Sequence, residues 1–396
     1  MAILIDPPVW PAHGRLWSHL VSDVSLAELH DFAARHTIPR RGFERDHYDI
    51  PADRYDDLVA AGAVQVSSRE VLRRLDAAGL RRRKSGAVAG RAPGRELLRP
   101  PRLEVGDLVA VPATAGVVPP ERLAEGVARL ESWGLRVRVG QHVFDTHPEL
   151  PYLAGSDESR AGDFTAAWMD PEVSAVMLAR GGYGTQRVLD LLDWRRLAEA
   201  APKLLVGFSD VTALHQAVAA RLGLVTVHGH VVTSLGRADD ASAESLRRLL
   251  MGPVSVTDLF DGSRIGVLVP GRASGVLTGG NLALLAAEIG TPFMRPARGG
   301  IVVLEDVDEP IFRVDRLVTH LLRTGWFDGV RGIALGAFTD CGPPAEVHTV
   351  LVERLTPLGV PMVSGFEVGH IDSMVSVPFG VTATLDADRG ALTVTW

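Results

Sequence analysis

The sequence predicts an α/β protein in three parts: a small α/β domain, a lobe built on a parallel sheet, and a β-rich second lobe. Three observations carry this. Between about residues 108 and 230, short apolar runs alternate with stretches of helical period, the order that folds into a parallel sheet covered by helices. Beyond about 265 the regularity loosens into glycine-rich short strands, and 375–396 alternates like antiparallel strands. Ahead of both, 85–102 is rich in Gly, Pro and Arg, lacks apolar period, and reads as a flexible linker. The expected boundaries are 1–84 for the small domain, 85–102 for the linker, 103–240 for the first lobe and 265–396 for the second. Charge shifts near the same point: residues 1–100 hold 16 basic and 13 acidic side chains, the remainder 25 and 35.

In the small domain, 3–5 is an apolar strand closed by Asp6-Pro7-Pro8. Ser25-Leu26-Ala27-Glu28 has the form of a capping box, in which the serine takes the amide of Glu28 and the glutamate returns to the amide of Ser25. Leu26, Leu29 and Phe32 then follow at helical spacing. Ser67-Ser68-Arg69-Glu70 repeats the capping signal ahead of Val71, Leu72 and Leu75. In the first lobe, strands are predicted at 108–111, 135–139, 175–179, 203–207 and 224–227. Helices are predicted there at 120–133, 156–169, 184–192 and 211–222. The second lobe carries predicted strands at 301–304 and 333–338 and helices at 280–289 and 311–322.

Composition sets limits on function. With 396 residues, 46% of them hydrophobic and 22% charged, the chain can bury a sizeable core in more than one domain. A net charge of −7 argues against a dedicated nucleic-acid binder. The single cysteine, Cys341, excludes an intramolecular disulfide and a cysteine-built zinc site, which fits a reducing compartment. Cys341 itself reads as a small buried filler. The opening residues show no basic n-region, so no signal peptide is expected. No apolar run reaches the roughly 18–20 residues of a membrane span.

Ligands of a parallel sheet bind at the carboxyl ends of its strands, and four strand ends carry chemistry. Gly207-Phe208-Ser209-Asp210 puts a serine at a strand-to-helix turn, where orphan amides and the helix dipole favour an oxyanion. It resembles a nucleophile elbow without the second glycine; taken alone, it is also what an ordinary N-cap looks like. Arg180-Gly181-Gly182-Tyr183-Gly184 lets backbone amides approach a ligand, or simply turns the chain tightly. Glu305, Asp306, Asp308 and Glu309 follow an apolar strand, to bind a divalent metal, orient a histidine, or cap the helix beyond Pro310. Glu305 is set apart by its place beside the last apolar residue. Gly369-His370 sets a histidine behind another strand, a position a structural histidine also takes. Together, Ser209, His370 and Glu305 supply what amide hydrolysis needs. A serine hydroxyl attacks only if an imidazole takes its proton, and a carboxylate must hold that imidazole's tautomer.

The small domain holds five of the 13 histidines: His13, His19, His30, His36 and His47. With Asp6 and Asp46 they supply the donors of a metal site or a phosphate-handling centre. Their spacings match no established ligand pattern, and each histidine reads as satisfied or at the surface ahead of the metal or phosphate role. The basic run Arg81–Lys84 reads as a solvated helix end rather than a nucleic-acid contact.

Arg180-Gly181-Gly182-Tyr183-Gly184, Gly207-Phe208-Ser209-Asp210, Thr278-Gly279-Gly280-Asn281-Leu282, Leu304-Glu305-Asp306 and Gly369-His370 occur in the order and approximate spacing of the LD-carboxypeptidases. The chain resembles this family, the murein tetrapeptide carboxypeptidases of serine peptidase family S66, over about 103–396. The resemblance implies a Rossmann-like first lobe, a β-rich second lobe and a cytoplasmic homodimer. It implies Ser209 as nucleophile, His370 as base, Glu305 as the orienting carboxylate, and the amides of Gly182 and Asp210 as the oxyanion site. It implies no metal and no cofactor. The implied substrate is a cell-wall tetrapeptide, cleaved between an L-centre and a terminal D-amino acid during peptidoglycan recycling. A related branch hydrolyses peptidyl nucleotides of the microcin C type and supplies the alternative. The short connection from Thr291-Pro292 to Glu305 looks more like the murein branch. A non-catalytic peptide-binding protein is the alternative from another class. Nucleic acid and membrane are not expected as partners. The opening Leu4-Ile5-Asp6-Pro7-Pro8 resembles a family of short uncharacterised bacterial proteins, which implies no function.

Overall fold

The structure, a computed structural model, describes residues 2–12, 15–44, 46–78, 80, 96–260 and 265–396. The chain divides into two compact units, Met1–Gly86 and Ala87–Trp396. His13, the run Arg81–Lys84 and the first part of the expected linker lie outside the described residues.

The smaller unit is one mixed sheet with helices on both faces. Its strands are β1 (Ile3–Ile5), β2 (Trp10–Ala12), β3 (Arg15–Ser22), β4 (Phe43–Glu44), β5 (His47–Pro51) and β6 (Val64–Gln65). Their order is β4-β5-β3-β1-β6, with β2 on β3. Residues of alternate parity fill opposite faces. Ile3, Ile5, Leu20, Tyr48 and Ile50 pack with Leu29 and Phe32 of α1 (Leu26–Arg35) and Leu58 of α2 (Tyr55–Ala60). Leu4 and Val21 pack on the other face with Val71 and Leu75 of α3 (Ser68–Ala77). The capping box at α1 is half formed. Ser25 accepts the amide of Glu28 at 3.1 Å, but the Glu28 carboxylate takes the hydroxyl of Ser22 instead of returning to Ser25. Ser22, at the end of β3, relays the cap by accepting the amide of Ser25 at 3.1 Å.

In the larger unit, strands β7 (Leu108–Val111), β8 (Arg136–Val139), β9 (Val173–Met177), β10 (Leu204–Gly207) and β11 (Thr226–His228) belong to the first lobe. The second lobe contributes β12 (Val256–Asp258), β13 (Gly266–Val269), β14 (Arg272–Asn281), β15 (Gly300–Val307), β16 (Gly332–Thr339) and β17 (Met362–Ser364). β18 (Val377–Phe379), β19 (Thr382–Asp386) and β20 (Ala391–Thr395) follow. One sheet has the order β18-β11-β10-β9-β7-β8 and is parallel except for β18. The other runs β12-β20-β19-β14-β15-β16-β17-β13, parallel from β14 to β17 and antiparallel at both flanks. The crossover of β18 is the main topological finding: the second lobe lends one strand to the first lobe's sheet, pairing Val377 with His228. Among the described residues, no helix is long and apolar enough to cross a membrane.

Helices α4 (Pro120–Ser132), α5 (Asp157–Met169), α6 (Thr185–Leu189), α7 (Trp194–Leu197), α8 (Thr212–Arg221), α9 (Val232–Leu235) and α10 (Asp240–Met251) surround the first sheet. The second lobe adds α11 (Leu282–Ala287), α12 (Ile311–Arg323) and α13 (Pro344–Leu355). The helix expected at 280–289 starts late because Gly279, Gly280 and Asn281 finish β14. A Cβ on Gly279 would stand 1.9 Å from the carbonyl oxygen of Val303, so only glycine allows this approach.

The end of the expected linker, 96–102, is packed into the larger unit. Leu97 is 3% exposed, and its amide donates to the carbonyl of Gly380 at 2.8 Å. Leu98 donates to Gly223 and accepts from Val225, both at 2.9 Å. Leu97→Ala is therefore expected to cost the larger unit about 2–5 kcal/mol. Urea unfolding followed by tryptophan fluorescence measures this, and a loss below about 0.5 kcal/mol would make the segment a passive tether.

Candidate active site

Four buried residues of β10 deliver the chain to the sheet's carboxyl edge. Phe208 follows, then Ser209 opens a short 3-10 turn that leads into α8. Ser209 has φ +65°, a left-handed conformation that costs a non-glycine residue about 1–2 kcal/mol. A strained serine at a strand-to-helix turn is the geometry of a nucleophile elbow. The loop holding Gly181 lies directly on it: a Cβ there would be 2.9 Å from Ser209 Cβ and 3.1 Å from its Oγ. Gly182, the next residue, is exposed with φ +114°.

Asp210 ties these two pieces together. Its carboxylate accepts the amide of Thr185, at the start of α6, at 2.8 Å. Burial pushes its pKa up to about 6, against the opposing pull of the Thr185 hydrogen bonds. Arg160 lies beneath, wholly buried, donating to the carbonyls of Thr114 and Gly184 and pairing with Asp157. Sequence reading missed Arg160, which sits in the first turn of α5 with no local signal.

Glu305 lies within β15, not beyond it, because the strand continues to Val307. Opposite Glu305 the register with β16 shifts between the pairs Leu304↔Leu335 and Asp306↔Phe338. Such an irregularity bends a strand and re-aims its neighbours. Here Ala337 is left to donate to Val368 at 2.8 Å, which draws in the segment that carries His370. His370 Nδ1 then stands 2.7 Å from Glu305 Oε2, with Glu305 0% exposed and the imidazole partly open to solvent. That contact assigns the proton to Nδ1 and leaves Nε2 as the basic nitrogen. Gly369 permits the approach, since a Cβ there would be 2.8 Å from both Glu305 Cβ and Oε2. The ring of Phe208, one residue before Ser209, lies 4.9 Å from the His370 ring, centroid to centroid.

The remaining acidic residues diverge. Asp306 accepts from Asn281 Nδ2 and its own neighbour Val307 at 2.8 Å, and from the amide of Ala283 at 3.0 Å. Burial pushes the Asp306 pKa up to about 6. Asn281 caps α11 through Leu284 at 3.1 Å, and its amide donates to Thr212 Oγ1 at 3.0 Å. Asp308 is exposed, and Glu309 pairs with Arg313 at 2.8 Å. The four carboxylates therefore do not converge as metal ligands.

The two-lobed α/β fold thus carries a serine on a strained elbow and a histidine held by a buried glutamate, groups of the kind that serine-class hydrolases use. The LD-carboxypeptidase N-terminal domain family matches residues 109–229, and the LD-carboxypeptidase C-terminal domain family matches 274–385. A relative from Streptomyces coelicolor, a carboxypeptidase by name, is 52% identical over 302 residues, 76% of this chain and 97% of its own. The murein tetrapeptide carboxypeptidase of Pseudomonas aeruginosa is 35% identical, covering 71% of this chain and 94% of its own. A solved structure of the microcin C7 self-immunity protein MccF, in complex with aspartyl sulfamoyl adenosine, superposes with a TM-score of 0.69 at 26% identity. That match covers 76% of this chain and 98% of the other. The chain belongs to the LD-carboxypeptidase family, peptidase S66, and is a serine-type carboxypeptidase. Residues 3–78 match a separate family, DUF4031, a protein of unknown function.

Two outcomes follow from the elbow. Ser209→Gly is expected to be more stable than Ser209→Ala by about 1 kcal/mol, because alanine keeps the left-handed penalty and glycine does not. Urea midpoints of the two variants decide this; alanine equal or better would mean the turn is relaxed. For Asp210, a raised native pKa means the folded state holds its proton more tightly than the unfolded state. Its contribution to stability is present below the unfolded value of about 3.9 and is lost as pH rises through about 6. Asp210→Asn should thus gain on the parent protein between pH 4 and 7, by up to about 3 kcal/mol. Paired urea titrations across that range measure the difference, and a flat difference would contradict the shift.

Proposed function

We propose that Ser209, His370 and Glu305 form the catalytic triad, and that the substrate is a murein tetrapeptide cleaved before its terminal D-amino acid. The observation that carries this is the 2.7 Å contact between His370 Nδ1 and the wholly buried Glu305. It holds the His370 ring by Nδ1, with Nε2 on the opposite side, and the ring packs against Phe208, the residue before Ser209. Ser209 Oγ attacks the scissile carbonyl and His370 Nε2 takes its proton. The amides of Gly182 and Asp210 receive the negative oxygen of the tetrahedral intermediate. His370 then protonates the departing amine, and water releases the acyl-enzyme by the same steps in reverse roles. Glu305 holds the Nδ1 proton and stabilises the imidazolium. No step calls on a metal or cofactor.

The Pseudomonas aeruginosa relative, at 35% identity, supports murein over a peptidyl nucleotide; the Escherichia coli self-immunity protein is 28% identical. The reading extends to a cytoplasmic homodimer working in peptidoglycan recycling. Incubation with the tetrapeptide muropeptide, followed by mass spectrometry, should show loss of one terminal alanine. Cleavage of an aminoacyl sulfamoyl adenosine with the tetrapeptide untouched would shift the assignment to the peptidyl-nucleotide branch. In the same assay Ser209→Ala is expected to lower kcat by about 10⁶ and Glu305→Gln by about 10⁴, with circular dichroism unchanged. Near-normal turnover by folded Ser209→Ala would remove the serine from the mechanism.

A further inference from the structure

The smaller unit brings together residues that the peptidase reaction does not use. Antiparallel pairing of β3 and β5 sets His19 directly opposite Asp49, and His47 lies two residues before Asp49, so all three side chains share one sheet face. Asp6, just after β1, joins that face. Its amide donates to the carbonyl of His19 at 3.2 Å, and its carboxylate accepts the amide of His19 at 2.6 Å. Two residues further along each strand, Leu4 and Val21 are covered by α3.

Both imidazoles are held the same way. His19 Nδ1 is 3.1 Å from Asp6 Oδ2, and His47 Nδ1 is 2.7 Å from Asp46 Oδ1. Both of these carboxylates are buried. Each histidine therefore turns its Nε2 outward, and both Nε2 atoms face one oxygen. Asp49 Oδ1 lies 3.4 Å from His47 Nε2 and 4.0 Å from His19 Nε2. The two rings meet edge to face with centroids 4.8 Å apart. The ligand atoms of His19, His47 and Asp49 all lie within 4.8 Å of one another.

We propose that His19 Nε2, His47 Nε2 and the Asp49 carboxylate bind one divalent first-row transition-metal ion, with Asp6 and Asp46 as the positioning carboxylates behind the imidazoles. A metal-bound histidine typically donates its second ring N–H to a carboxylate, which fixes the tautomer and raises the ligand's basicity. That relay is present here twice. Two imidazoles and one carboxylate suit zinc, iron, cobalt, nickel or manganese, whereas magnesium prefers oxygen donors. Donors about 2.1 Å from a shared ion stand roughly 3.0–3.5 Å apart, so the cluster is close to the bound geometry already. Both imidazoles and Asp49 reach solvent, which gives the ion a way in. Three protein donors leave further positions open to water or to an oxyanion such as phosphate.

The test uses the full-length chain, stripped with a chelator and dialysed. Titration with Co²⁺ should develop a visible d–d spectrum that saturates at one ion per chain. Zn²⁺ should bleach it, and Mg²⁺ at the same concentration should not. Asp49 is 39% exposed, so Asp49→Asn alters donor strength with little change in packing. It should weaken Zn²⁺ binding by more than about 100-fold in competition with a chromogenic chelator, and His47→Gln should do the same. Asp46→Asn should weaken it by about 10–100-fold. His30→Gln should leave it unchanged, because His30 Nδ1 is bonded to Tyr48 Oη at 2.9 Å and lies outside the trio. Circular dichroism confirms folding of each variant. A featureless Co²⁺ titration would overturn the proposal. So would binding that survives both Asp49→Asn and His47→Gln in folded protein, since the ion would then sit elsewhere.

Discussion

A short line of buried hydrogen bonds from Thr212 through Asn281 to Asp306 sets the geometry on which the proposed peptidase site depends. Thr212 begins the helix behind the serine elbow, Asn281 ends β14, and Asp306 follows the glutamate that holds His370. β14 and β15 are paired, with Asn281 opposite Glu305. The elbow of one lobe is therefore fixed to the carboxylate of the other through backbone and short side chains, with no long flexible arm between. Losing any member would strand a buried polar group, and such groups cost about 1–3 kcal/mol each, more when charged. Gly280 makes the closeness possible, since a Cβ there would stand 2.6 Å from Thr212 Oγ1.

The same site is built at the expense of stability. Asp210, Glu305, Asp306 and Arg160 are all buried, and Ser209 is held in a left-handed turn. None of these favours folding by itself. Each is compensated locally: Asp210 by Thr185, Glu305 by His370, Asp306 by Asn281 and Ala283, Arg160 by two carbonyls and Asp157. The compensation is partial, since Glu305 Oε1 and Arg160 Nε are buried without a hydrogen-bond partner, and strain and buried charge concentrated at one place suit the pre-organisation of the proposed reactive centre.

Much of this was legible in the sequence because the signals are local. The strand–helix alternation of the first lobe, the capping serines at Ser25 and Ser67, and the glycine turns all act within a few residues. What escaped was non-local. β3 has a broken hydrophobic pattern, with Ser18 facing the core while Trp17 and His19 face outward, so its alternation is disguised. Without β3 and β5, the meeting of His19, His47 and Asp49 was invisible, since it comes from strand register rather than spacing. Leu97 looked like linker because Pro93, Gly94, Pro100 and Pro101 lie on either side of it in the chain, yet its amide is bonded to Gly380 and its side chain lies against it. Glu305 was placed past a strand whose last residues are acidic, because acidic residues normally mark a strand's end. Nothing local marked 377–379 as belonging to the other lobe's sheet.

That crossover has a consequence for how the protein is made. β11 is an edge of the first sheet until β18 covers it, and about 150 residues separate the two in the chain. During synthesis at about 5–20 residues per second, the first lobe waits roughly 7–30 seconds on the ribosome with an open strand edge. The nascent chain is then most exposed to wrong pairing with its neighbours, and chaperone demand in the cell should concentrate in that interval.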